Sequence, residues 1–208
     1  MNEIKIGSKS IGGSRPIANG HNWVMKQAGF NMPISYIPDN SYIPAGTPLC
    51  CDEEKREALP LKIAKVMSVN GTKVSIALQT PYVTAPFSVG ESVIKLGEDF
   101  TTAGTAVTIT AIEDTATVTE ITLSAALTGL TANDFIVLAN SDKKPVGTPN
   151  AIAPFDIVKE DNNSTYKFTA AAVSFDGDIF LRRIPAMPEL VKTALLNSGC
   201  KFHWSESL

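Results

Sequence analysis

Histidine, cysteine and tryptophan are scarce, and the patterns that make them useful to catalysis are missing. Two histidines, three cysteines and two tryptophans are spread over 208 residues. No Cys-x-x-Cys pair, no H-E-x-x-H, no G-x-S-x-G and no G-x-x-x-x-G-K-[ST] occurs. Zinc sites, metalloproteases, serine hydrolases and P-loop enzymes are therefore left without their signatures. His21 and His203 lie far apart in the chain, each near aromatic residues, where a histidine is more often structural than catalytic. Gly12-Gly13 neither follows a strand signal nor opens a helix, so it fails as a phosphate cradle. The acid pairs Glu98/Asp99, Glu113/Asp114 and Asp176/Asp178 fall in predicted turns, where acids are common. General acid–base work needs a partly buried, perturbed group, and no position asks for one. The chain reads as a non-enzyme with no catalytic residue, no cofactor and no metal site.

An excess of charge and a long apolar run are missing too. The formal net charge of −3 provides no electrostatic reason to expect nucleic acid. No apolar run approaches the roughly 20 residues that cross a bilayer, so membrane insertion is not expected. The opening MNEIKIGSKSIGGS lacks the apolar stretch of a secretory signal. With 44% hydrophobic and 19% charged residues the composition is that of a globular chain. Cys50 and Cys51 are adjacent and Cys200 stands alone; we read them as free thiols of a protein made in a reducing compartment. A bridge from Cys50 or Cys51 to Cys200 stays open.

What is present is strand signal. From Val69 to Ser141 the chain holds fourteen threonines, two lysines and seven acids. Threonine's branched Cβ suits a pleated surface better than a helix, and residues 69–142 read as an inserted, acidic, all-β module. Strands are predicted at Ser92–Leu96, Ala106–Ile112, Val118–Leu123 and Phe135–Leu138. Before them, Leu61–Val69 is a predicted strand with Ile63 and Met67 at alternating positions. Asn70-Gly71 is the strongest hairpin signal in the chain. The return strand should place Val74, Ile76 and Leu78 on one face. Val89 to Leu96 also echoes Thr131 to Leu138: a turn, an acid and an apolar strand.

The last third is the best punctuated. Ala172–Phe175 and Ile179–Leu181 read as strands around an Asp176-Gly177-Asp178 turn. Pro188 and Glu189 suit a helix start, Leu190, Ala194 and Leu195 recur at helical spacing, and Gly199 suits a C-terminal cap. Phe202-His203-Trp204 ends the chain as an aromatic strand. Ile152–Val158 is one further strand, and Asp161–Ser164 reads as a hairpin tip, since it lacks the spacing of a calcium loop. Asp52–Glu57 reads as a solvated loop. Residues 1–44 show no periodicity, yet they scatter apolar side chains among five glycines and four prolines. They read as an extended arm lying on its own domain or on a partner.

Residues 45–68 and 143–208 together resemble phage capsid decoration proteins, of the lambda-like head decoration type and its head fiber relatives. The similarity runs through Ala45-Gly46-Thr47-Pro48-Leu49 and Leu61-Lys62-Ile63-Ala64-Lys65-Val66. It continues in Lys144-Pro145-Val146-Gly147, Ala170–Gly177, Arg183-Ile184-Pro185-Ala186, Gly199 and Phe202. The block 69–142 and the long arm depart from the smallest such proteins. The resemblance implies a mainly β fold: a small barrel-like decoration domain with one C-terminal helix, the inserted module projecting outward, and the arm along the shell. It implies a virion protein on the outer capsid surface, made in the bacterial cytoplasm, with the major capsid protein as partner and a homotrimeric state. Ile4, Ile6, Ile11, Trp23 and Phe30 are then the candidate capsid contacts, and Phe202 and Trp204 the candidate packing or subunit contacts. The module is a candidate for adhesion to host or mucosal glycans. The rival reading is a free-standing all-β carbohydrate-binding or cell-surface adhesion module.

Overall fold

A computed structural model describes residues 17–18, 23–26, 29–37, 42–77, 86–115, 118–158, 165–168, 171–174 and 178–206. The fold is mainly β. The first strands are β1 (Trp23–Met25), β2 (Phe30–Pro33), β3 (Tyr42–Ile43), β4 (Pro48–Asp52) and β5 (Glu57–Pro60). Next come β6 (Ile63–Asn70), β7 (Lys73–Ala77), β8 (Ser92–Lys95), β9 (Val107–Asp114), β10 (Val118–Leu123) and β11 (Phe135–Leu138). The last are β12 (Ala151–Ile152), β13 (Ile157–Val158), β14 (Thr165–Phe168), β15 (Ala171–Ser174), β16 (Asp178–Phe180) and β17 (His203–Ser205). Helix α1 (Glu189–Asn197) lies between the final two strands, and 3-10 turns form at Ile34–Tyr36 and Leu181–Arg183.

Strands β6 to β11 close a six-stranded barrel in the order β10-β7-β6-β11-β8-β9, every neighbour antiparallel. The closed barrel is thus the segment expected to be the inserted module, plus Ile63–Ser68, expected in the flanking domain. The flanking residues instead build a seven-stranded sheet, β1-β15-β12-β4-β5-β2-β14. Its pairs are antiparallel except β2 with β5. The short pairs β3–β13 and β16–β17 complete this base.

The barrel wall explains its own sequence. Along β7 and β10 buried and part-exposed residues alternate, as expected of strands with one face in a core. At the start of β6 and along β8 and β11 buried apolar residues run consecutively, because both faces are covered there. Ala64, Val93, Ile136 and Leu138 fill the barrel. Ile63, Ile94 and Val137 point outward into a second core with Ile179, Ile184, Val191 and Leu195. A third core, including Phe30, Met32, Leu49 and Ala151, packs in the base.

The barrel is also two copies of one plan. Ala64 and Val107, Val66 and Ile109, Phe87 and Leu130, and Val93 and Ile136 are each 43 residues apart, and all line the interior. Each half has a bulge on its first strand, at Met67 opposite Ser75/Ile76 and at Thr110 opposite Thr122/Leu123. Each has the same turn before its third strand. Ser88 and Glu91 exchange bonds, with Gly90 at φ +93; Thr131 and Asp134 do likewise, with Asn133 at φ +72. The cross-strand bonds Leu96 N–H to Phe135 O and Ala139 N–H to Ser92 O are reciprocal, the mark of an approximate twofold. The sequence echo was therefore one residue out of step: Ser88, not Val89, corresponds to Thr131. Only the shifted register puts Val93 with Ile136 inside, and Ile94 with Val137 outside.

The Asn70-Gly71 hairpin forms, but Asn70 pairs with Lys73, so the two-residue loop is Gly71-Thr72, with positive φ at its glycine (+61). Ile63 is buried while Met67 is 49% exposed, because the bulge throws Met67 outward. Val74 and Ile76 are buried as expected, whereas Leu78 lies outside the described residues. Ile152–Val158 is not one strand. Pro154 interrupts it, and the Asp156 carboxylate turns back to accept the Ala45 N–H at 2.7 Å. Helix α1 ends in a Schellman arrangement: Gly199 at φ +94 donates to Leu196 O, and Cys200 donates to Leu195 O. Asp161–Ser164, Phe175-Asp176-Gly177, Gly12-Gly13 and His21 lie outside the described residues.

Candidate interaction surfaces

Within residues 1–44, expected to form an arm, the described residues from Ile17 on are built into the base. Ile17 is buried in the core beside α1, its carbonyl accepts the Phe180 N–H at 2.9 Å, and Ala18 bridges to Ile179. Strands β1, β2 and β3 then supply three strands to the base. Of the candidate capsid contacts, Ile4, Ile6 and Ile11 lie outside the described residues. Trp23 is in β1, at one end of the sheet order, paired with Ser174. Phe30 is 1% exposed in the base core, which leaves its ring no surface to offer a partner in this conformation. A Phe among glycines and prolines looks like an arm residue only until its strand pairs with β14 and β5.

Phe202 and Trp204 are half-buried and meet edge to face, with centroids 5.6 Å apart at 61°. Both pack on the core that holds α1, and Lys192 Nζ lies 6.0 Å from the Trp204 ring. Strand β17, which carries Trp204, pairs in parallel with β16. These aromatics are committed first to packing, with part of each left at the surface. Among the described residues the large hydrophobic side chains left exposed are Met67, Val89, Phe155 and Leu196.

The thiols are free, and they are held inert. Burial pushes the Cys50 thiol far up, and burial raises Cys51 to about 12, with Lys26 pulling back and Glu53 adding to the rise. Thiolate is the reactive form, so neither is a nucleophile near neutral pH. The Asn150 side chain pins the Cys51 backbone through both its N–H and its carbonyl, at 2.9 Å each, and Cys200 Sγ donates to Asn150 O.

The acids do structural work. Asp52 accepts the Glu54 and Lys55 N–H groups at the exposed β4–β5 hairpin tip, where a solvated loop was expected. Asp99 accepts from the backbone and hydroxyl groups of Thr101 and Thr102, and these bonds hold its carboxyl down to about 2. Its loop borders a cavity of about 280 Å³ lined by Ile94, Lys95, Gly104 and Pro145 among others. Lys95 is there paired with Asp134 at 2.8 Å. Burial pushes the Asp134 carboxyl up, but Lys95 and Thr131 outweigh it and the net shift is down.

One charged group was missed altogether. Lys62 is 1% exposed, its Nζ bonded to Glu91 Oε1 and 5.9 Å from the Tyr36 ring centroid. Burial pulls the Lys62 ammonium down, opposed by Glu91, while burial and then the Glu91 charge raise the Tyr36 phenol. Nothing in Pro60-Leu61-Lys62-Ile63 signals a buried lysine, because its partners come from positions 36 and 91.

Among the described residues no three metal-ligating side chains come together, and no buried side-chain polar atom lacks a partner. No described helix is long and apolar enough to cross a membrane. Compared with family models, curated proteins and solved structures, the chain matches none.

Proposed function

We propose that the chain is a non-catalytic structural virion protein that binds the outer surface of a phage capsid and stabilises it, displaying the barrel outward. The observation that carries this reading is the difference in edges. The barrel closes on itself and has no unpaired strand edge, so it offers no site for strand addition. The base sheet ends at β1 and β14, with no further described strand beyond either. A protein with an addressable base and a sealed, acidic barrel suits attachment on one side and display on the other. The base is also where Ile17 anchors the chain that follows the apolar residues Ile4, Ile6 and Ile11.

The partner in this reading is the major capsid protein, and the self-assembled state is a homotrimer. Binding only to the mature shell would stabilise that shell by mass action. Co-sedimentation with purified heads of the parent phage, stripped of their own copies, tests it. The deletion is residues 1–16, since removing 1–44 would strip β1 to β3 and the buried Phe30, Met32, Ile37 and Ile43 from the base. Saturable pelleting by the full chain, weakened by the deletion, is expected. Absence of pelleting by the full chain would sink the reading.

A further inference from the structure

The chain passes from base to barrel at Leu61-Lys62. Leu61 N–H donates to Pro48 O on β4 of the base, and Lys62 O accepts from Leu138 N–H on β11 of the barrel. At this crossing the Lys62 ammonium is out of water, bonded to Glu91 at the mouth of β8, and faced by Tyr36 from the base. Tyr36 itself touches both the barrel core and the base core. Apolar contact between barrel wall and α1 is non-directional, whereas a buried charge must meet its partner at one geometry.

We propose that Tyr36, Lys62 and Glu91 form a buried joint that fixes the barrel in one orientation on the base. The Lys62–Glu91 pair travels with the barrel, so a rotated or slipped barrel would carry it out from under the Tyr36 ring and open the buried ammonium to water, and those arrangements are disfavoured. The barrel's duplication supplies an internal control. Asp134 occupies the turn position equivalent to Glu91 and caps Thr131 as Glu91 caps Ser88. Its lysine, Lys95, is 38% exposed and takes no part in the crossing. The two acids share their turn chemistry and differ in the joint.

The test is hydrogen exchange of the full chain carrying Glu91→Gln or Asp134→Asn. Glu91→Gln should speed exchange in peptides spanning 34–37 and 61–64 by roughly a hundredfold, as expected when a buried charge loses its partner. Strands β7 and β10 should hold their protection. Asp134→Asn should change the 34–37 and 61–64 peptides by no more than about fivefold, the effect of a solvent-facing pair. Equal effects of the two variants would overturn the joint, as would an unchanged crossing in Glu91→Gln or a uniform loss of protection that includes β7 and β10. Should Glu91→Gln fail to fold, Tyr36→Leu, which keeps the ion pair, decides: faster exchange confined to 61–64 supports the joint, and an unchanged crossing refutes it.

Discussion

The barrel and the base are both β, yet they are assembled over very different distances along the chain. All six barrel strands come from residues 63–138, and two of its adjacent pairs are simple hairpins. The base joins strands from both ends of the chain: Trp23 pairs with Ser174, and Phe30 with Phe168. Closing such distant contacts costs more chain entropy before any contact is made. The difference teaches where each half is vulnerable. The barrel depends on its interior packing, whereas the base depends on a few close approaches that hold remote segments together.

The sharpest way to break the base is Gly46→Ala. Gly46 sits at φ +85, and a Cβ there would fall 2.3 Å from Ile184 Cγ2. Both the backbone strain and the clash oppose alanine, so a loss of about 3 kcal/mol or more is expected. Chemical denaturation should show it, and a stability loss below about 1 kcal/mol would contradict the packing described.

The barrel's twofold plan makes a matched prediction. Ile76 and Leu123 occupy equivalent interior positions beside the two bulges and are 1% and 2% exposed. Ile76→Ala and Leu123→Ala should each cost about 3 kcal/mol, the usual range for such cavities. Costs that differ by more than about 2 kcal/mol would mean the halves are not energetically equivalent.

Thiol chemistry separates the base from its unfolded chain. With Cys50 and Cys51 held protonated by burial, a thiol reagent at pH 8 should label the native protein at least about tenfold more slowly than the protein in urea. Equal rates would place these thiols at the surface.

The smallest effect concerns the loop between the barrel halves. The Asp99 carboxyl is held down to about 2 in the folded protein, below its ordinary value near 4. Its contribution is therefore complete above about pH 4 and is lost as pH falls toward 2. Acid titration followed by NMR of Thr101 and Thr102 should show their amides released over that window, and Asp99→Asn should remove the transition.

Much of the barrel was legible because its signals are local. Val118–Leu123 and Phe135–Leu138 form the strands their patterns predict, and the Gly71 turn declares its hairpin. The helix was equally readable, from Pro188 to Gly199. The base was not, since Phe30 and Ile17 look like arm residues until partners more than a hundred positions away cover them. The closed ring forms from residues 63–138, whereas the flanking residues, expected to be barrel-like, form a sheet with two ends. Alternation shows that a strand has one buried face, but it says nothing about whether six such strands close into a ring or leave an edge.

The amino-acid sequence by itself determined that this protein is mainly β and where several strands of residues 63–138 and its single helix lie; it misplaced Glu113, Asp114 and Asp178, expected in turns but found in β9 and β16. The elements it determined depend on branched side chains, proline, glycine and short-range hydrogen bonds, all of which act within a few residues. Tertiary structure alone decided that the threonine-rich segment closes, that Ile17 and strands β1 to β3 belong to the base, and that Lys62 is buried against Glu91 and Tyr36. Each of these rests on groups far apart in the chain, whose pairing is set by which faces remain to be covered once the local elements have formed.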